Sequence, residues 1–222
     1  IAARLAQLGD GPRAALLFAR AVDGLDAPGI KATTRENIWR QKGWAALRAG
    51  DAQAARKDFA AMRAAIDAAP TSFDPLRVAE ADWLLAEAAV EAGDGDAALG
   101  HLARAEPVLL AEYGAGHPER RNIGVTRIAA ELAAGRPDAA MTSFGALAAA
   151  AYPAAAAREQ ARIDWLMADA LIQQGRCEEA GAWIDAFDTT HATTPRLRQM
   201  QARVTALHAS VCGSMDRTSV QP

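Results

Sequence analysis

The residues able to do chemistry are few and scattered. The four histidines, His101, His117, His191 and His208, have no His or Cys partner three or four residues away, so no metal-ligand spacing exists. His117 precedes Pro118 and reads as a residue that sets loop geometry. Gly93-Asp94-Gly95-Asp96 hints at a calcium loop but lacks the spacing and the terminal glutamate of an EF-hand. A helix-to-helix turn with an N-cap is the stronger reading. There is no Walker A run, no GxSxG and no glycine-rich phosphate loop, and no carboxylate pair is singled out for acid–base work. No catalytic residue, metal or cofactor is expected in this segment. Cys177 and Cys212 are the only cysteines. A disulfide between them would require an oxidising compartment such as a bacterial periplasm. Two independent thiols, one partly buried and one in the tail, is the reading preferred, and the compartment is left open between cytoplasm and periplasm.

The elements that would carry these residues repeat. A glycine is followed five residues later by an alanine at Gly9/Ala14, Gly50/Ala55, Gly93/Ala98, Gly135/Ala140 and Gly175/Ala180. Successive glycines are 41, 43, 42 and 40 residues apart, and most pairs lie between Ala/Leu-rich helical stretches. A fixed period of this length marks a stacked array of supersecondary units. Each glycine ends a first helix in the left-handed conformation that caps it. Asp10, Asp51 and Asp94 follow directly and can cap the second helix. The alanine marks the helix crossing, where a larger side chain would force the pair apart. Four residues on stands an apolar knob: Phe18, Phe59, Leu102, Phe144 or Ile184.

Composition agrees with packed short helices. Apolar residues make up 51% of the 222, much of that alanine, and aromatics only 5%. The formal charge of −3 offers no basic patch for nucleic acid and no acidic tract for disorder. No run approaches 18 apolar residues, so no membrane insertion is expected. The chain starts at Ile1 inside a helical pattern, which reads as a fragment of something longer, truncated at its N-terminus. Inter-repeat loops are expected near Leu25–Thr34, Ala69–Asp74, Tyr113–Pro118, Tyr152–Pro153 and Thr189–Pro195. Arg196–Ala209 reads as a capping helix and residues 210–222 as a disordered, Ser/Thr-rich tail.

The second unit, W39-x3-G43-x2-A46-x3-G50-x4-A55-x3-F59, resembles the helix–turn–helix signature of the tetratricopeptide repeat. The period is closer to the 42-residue variety of kinesin light chains and many bacterial signalling proteins. Tyr113-Gly114-Ala115-Gly116-His117-Pro118 is similar to the inter-repeat loop of that variety. The fourth unit departs from the pattern, with Gly124 and Ile128 where an aromatic and a small residue are expected, and the first unit lacks most of its first helix. The resemblance implies an all-α, right-handed superhelical solenoid of about five helix pairs plus a cap, spanning residues 1–209. It also implies that first helices line an inner groove. By position that groove would present Asn37, Arg40, Trp44, Arg48, Glu80, Trp83, Glu87, Asn122, Thr126, Arg162, Trp165, Asp169 and Gln173, with Trp39 in the helix-pair core. A competing register places the tryptophans in the core. The function expected is binding of a peptide or partner domain, as the regulatory or sensory part of a bacterial serine/threonine kinase or winged-helix regulator. Self-association as a homodimer, a structural spacer, and cis-regulation of an attached enzyme are the alternatives.

Overall fold

A computed structural model describes residues 1–2, 11–150, 152–186 and 194–218. Among these residues there are ten α-helices and no strand. They are α1 (Gly11–Asp23), α2 (Ala32–Ala49), α3 (Ala52–Asp67), α4 (Pro75–Glu91), α5 (Gly95–Glu112), α6 (Pro118–Ala133), α7 (Pro137–Ala149), α8 (Ala157–Gln173), α9 (Cys177–Ala186) and α10 (Pro195–Thr218), with a 3-10 turn at Pro70–Ser72. The chain divides into two compact units, Ile1–Tyr113 and Gly114–Pro222. No helix among the described residues is long and apolar enough to cross a membrane.

In the first unit α2 packs on α3, α3 on α4, α4 on α5, and α1 on α2. The turn between α2 and α3 shows why. Gly50 takes φ 78°, and the Asp51 N–H donates back to the Ala46 carbonyl at 3.0 Å, closing a Schellman-type end. The Asp51 carboxylate then accepts from the Ala54 N–H at 2.9 Å, starting α3. Gly93 and Asp94 repeat this, with φ 76° and a 3.2 Å bond from the Ala97 N–H. Arg136 offers no side-chain cap, and Pro137 supplies the helix start instead. Gly9 and Asp10 lie outside the described residues.

The crossing positions are closed. Ala14, Ala55, Ala98, Ala140 and Ala180 are all buried, as are Phe18, Phe59, Leu102 and Phe144, while Ile184 is half-buried. At Gly43 a Cβ would stand only 2.4 Å from the Phe59 ring, so α2 and α3 meet at that glycine. Trp39 is half-buried against the same core and carries Lys42 over its ring at 5.2 Å.

In the second unit α6 packs on α7, α8 on α6, α7 and α9, and α10 on both α8 and α9. The departures at Gly124 and Ile128 are both accommodated. Ile128 is fully buried, and Gly124 admits Leu147, whose Cδ1 is 3.0 Å from where a Cβ would stand.

Two expectations need correction here. The helix expected over 196–209 runs on to Thr218 and so takes in residues 210–218 of the expected tail; residues 219–222 lie outside the described ones. The physical reason is the apolar stripe Leu197, Met200, Val204, Leu207, Val211, Cys212, whose helical spacing continues past Ala209. Second, Cys177 and Cys212 are not independent thiols. They form a disulfide across 35 residues, with Cα atoms 5.5 Å apart.

Candidate functional site

Asn37, Arg40, Trp44 and Arg48 recur every three or four residues on α2 and so share a face, as do Glu80, Trp83 and Glu87 on α4. Trp44 meets Trp83 edge-on, with centroids 6.4 Å apart, and Phe59 at 6.2 Å. The Arg48 guanidinium lies over the Trp44 ring at 5.7 Å. Both tryptophans are half-buried, seated on the core with part of each ring in solvent.

Toward the start of α2 the face becomes ionic. Arg40 pairs with Glu36 at 3.2 Å and donates to Asn37 at 3.0 Å. Arg77 donates to Glu80 at 2.8 Å and stands 3.9 Å from Glu36. The Tyr113 hydroxyl donates to Glu80 at 3.2 Å. Burial pushes the Glu36 carboxyl up, against the pull of Arg40 and Arg77. Sequence reasoning missed Glu36; its signal was the i, i+4 spacing to Arg40.

Four of the expected groove residues are not on an open face. Glu87 is 1% exposed, Thr126 0%, Trp165 2% and Asp169 4%. Thr126 turns its hydroxyl to the Asn122 carbonyl at 2.9 Å, the usual way a threonine satisfies itself inside a helix. Trp165 lies in the cluster formed with Leu171, Ala180 and Val204, so for this tryptophan the core register is correct. Asp169 accepts from Gln173 at 2.8 Å and pairs with Arg203 of α10 at 3.4 Å. Asn122 and Arg162 are half-exposed and Gln173 is exposed. Of the expected set in the first unit, Asn37 is exposed and Arg40, Trp44, Arg48, Glu80 and Trp83 are half-exposed.

A second ionic cluster went unnoticed in the sequence because its members lie 19 and 22 residues apart. Asp82 of α4 is buried and accepts from Arg63 of α3 at 2.6 Å and from Arg104 of α5 at 2.8 and 3.1 Å. His101 Nδ1 lies 3.1 Å from the same carboxylate. Burial alone would raise the Asp82 carboxyl, but hydrogen bonds from His101 and Arg104 and the charges of Arg63 and Arg104 outweigh it and hold it at about 2. Beside this cluster a shallow cavity of about 370 Å³ is walled by Pro70, Phe73, Pro75, Val78, Ala79 and Val108. Both Asp82 oxygens are occupied, by Arg63 of α3 and by His101 and Arg104 of α5, so the cluster ties three helices together. His117 acts as expected of a loop residue, with Nδ1 accepting from the Glu119 N–H at 3.1 Å at the start of α6.

Among the described residues no group of His, Cys, Asp and Glu could hold a metal ion. The best-formed candidate is a binding face: the Trp44–Trp83 pair of α2 and α4, with the Arg48 guanidinium over one ring. No family model, curated protein or solved structure matches the chain.

Proposed function

We propose that this chain is a tetratricopeptide-like interaction module whose partner, a peptide or a folded domain, docks on the α2/α4 face. The helix pairs are read as a right-handed superhelical array closed by α10. The observation that carries the reading is the half-exposed Trp44–Trp83 pair, with Arg48 over the Trp44 ring. Aromatic and arginine side chains dominate binding energy at protein interfaces, and a rigid helical face presents them at little entropic cost. In its host the module would serve as the regulatory or sensory part of a larger bacterial signalling protein. The Cys177–Cys212 bond favours an oxidising compartment, the periplasm in a bacterium.

A photo-crosslinking amino acid placed at the exposed Asn37, and in a separate protein at the exposed Ala60 of α3, tests this in the native host. Adducts formed from position 37 and absent from position 60 support the α2/α4 face. Equal adducts from both positions, or none from 37, would sink it. An adduct whose mass is twice that of the chain would favour self-association instead.

A further inference from the structure

The last helix is attached in two different ways along its length. Its first half buries Leu197 and Val204, half-buries Met200, and sends Arg203 to Asp169 at 3.4 Å. Beyond Val204 the packing on the Trp165 cluster continues through Leu207, Val211 and Cys212. Leu207 and Val211 are only half-buried, and Cys212 is the one buried side chain described after Val204. This stretch is held to the start of α9 by the bond to Cys177 and by His208, whose Nε2 lies 3.2 Å from the Cys177 carbonyl oxygen. The His208 ring also lies over Gly181, within 3.7 Å of where a Cβ would stand. Cys177 is half-exposed while Cys212 is buried, so a reductant reaches the bond from the Cys177 side.

We propose that the Cys177–Cys212 bond is a redox latch that pins the second half of α10 over α9. A dithiol reductant opens it. One thiolate of the dithiol attacks Sγ of Cys177, the S–S bond breaks, and Cys212 leaves as a thiolate that takes up a proton. The second thiol of the reductant then displaces Cys177 from the mixed disulfide. The dithiol ends as a disulfide and the protein as two thiols, with two electrons and two protons transferred. Once open, residues 207–213 are held mainly by half-buried contacts and fray, as segments with few buried side chains do. The α9 surface around Ala180 and Gly181 is then uncovered. The first half of α10 stays docked, because Leu197, Val204 and the Arg203–Asp169 pair do not depend on the bond.

The test is amide hydrogen exchange on the full chain, air-oxidised and after dithiothreitol, with the thiol state verified by alkylation and intact mass. The expected result is exchange in 207–213 faster by on the order of 10-fold after reduction, with 197–204 and α2–α4 unchanged. The Cys177→Ser/Cys212→Ser variant should show the reduced pattern without any reductant. Equal protection of 207–213 in both states would overturn the latch. So would loss of protection throughout α8 and α9, since the bond would then belong to the fold of the unit. Two free thiols in the air-oxidised chain would overturn it as well.

Discussion

Gly43→Ala adds one methyl group to the middle of α2, and its outcome can be worked from the helix crossing. The new Cβ would stand 2.4 Å from Cε1, 2.6 Å from Cδ1 and 2.9 Å from Cζ of Phe59. Carbon atoms rest about 3.5–4.0 Å apart, so the ring edge must retreat by about 1 Å or the helices must part. Phe59 has no room to retreat, being fully buried in a cluster with Leu47, Met62 and Leu84 and in edge contact with Trp44. Overpacking of this kind costs about 1–3 kcal/mol, while alanine's helix preference over glycine returns about 0.5–1 kcal/mol. The net expectation is destabilisation by about 0.5–2 kcal/mol. Gly100→Ala is the matched control: Gly100 is exposed on α5, with nothing within 4 Å of a new Cβ. There the same methyl should stabilise by about 0.5–1 kcal/mol. Urea unfolding followed by circular dichroism and tryptophan fluorescence reads both. Adding Phe59→Leu to Gly43→Ala should recover part of the loss, giving a coupling of about 1 kcal/mol in a double-mutant cycle. If Gly43→Ala behaves like Gly100→Ala, or the two changes simply add, the crossing is not where the packing places it.

Three further outcomes follow from the ionic clusters, the caps and the disulfide. Asp82 titrates at about 2 in the fold against 3.8 as its ordinary value, so its contribution is complete above pH 3.8 and is lost as pH falls through about 2. That amounts to about 2 kcal/mol. Asp82→Asn should therefore melt below the wild type at pH 6, and the gap should close between about pH 4 and pH 2; a gap that persists at pH 2 would refute the assignment. Glu36 and Asp58, both raised by burial, act in the opposite sense and lose their contribution as pH rises, so they cannot produce this acid loss. Asp94→Ala removes the bond to the Ala97 N–H and an exposed pair with Arg56, and should cost about 1 kcal/mol, nearly all of it from the cap. An unchanged melting temperature would show that the cap is idle. Replacing both cysteines by serine opens a 35-residue loop; a bond that pins only residues 207–213 should cost far less in unfolding than the about 4 kcal/mol that chain entropy allows such a loop, and a loss of that full size would contradict the latch.

The turns and crossings were legible in the sequence because backbone geometry leaves a residue-type signature. Positive φ at 50, 93, 135 and 175 selects glycine, and a closed crossing five residues later selects alanine. Side-chain exposure on the first helices was much less legible, and one position shows why. Trp44, Glu87 and Asp169 each stand six residues before their turn glycine, so the period treats them as equivalent. Trp44 is half-exposed, whereas both carboxylates are buried. Trp83 and Trp165 likewise both stand ten residues before the glycine, yet Trp165 is enclosed with Val204 of α10. Helical periodicity assigns a face but not what lies against it, and that is decided by a helix forty residues away. The extension of α10 was missed because Gly213 and Ser214 follow Cys212 directly, and the part played by Val211 and Cys212 in the stripe is evident only with the helix docked.

The bridges between first helices explain how an alanine-rich chain with few aromatics keeps its helix pairs in register. Arg77 of α4 reaches Glu36 of α2, Arg121 of α6 binds Glu159 of α8 at 2.6 Å and also the Pro153 carbonyl, and Arg203 of α10 reaches Asp169 of α8. In every case one member is buried: Glu36, Arg121 or Asp169. Such pairs gain little over well-packed apolar residues, because desolvation offsets most of the attraction. Losing one partner is another matter, since an uncompensated buried charge costs about 3–5 kcal/mol. Alanine faces are nearly featureless and would tolerate a slip of one turn. A slip that strands Arg121, or parts Asp169 from Arg203, is penalised several times more than correct pairing is rewarded. Their role is therefore to exclude wrong alignments of neighbouring helix pairs. In the first unit the Glu36–Arg77 contact joins the same two helices, α2 and α4, that carry Trp44 and Trp83, the two side chains on which the proposed binding face depends.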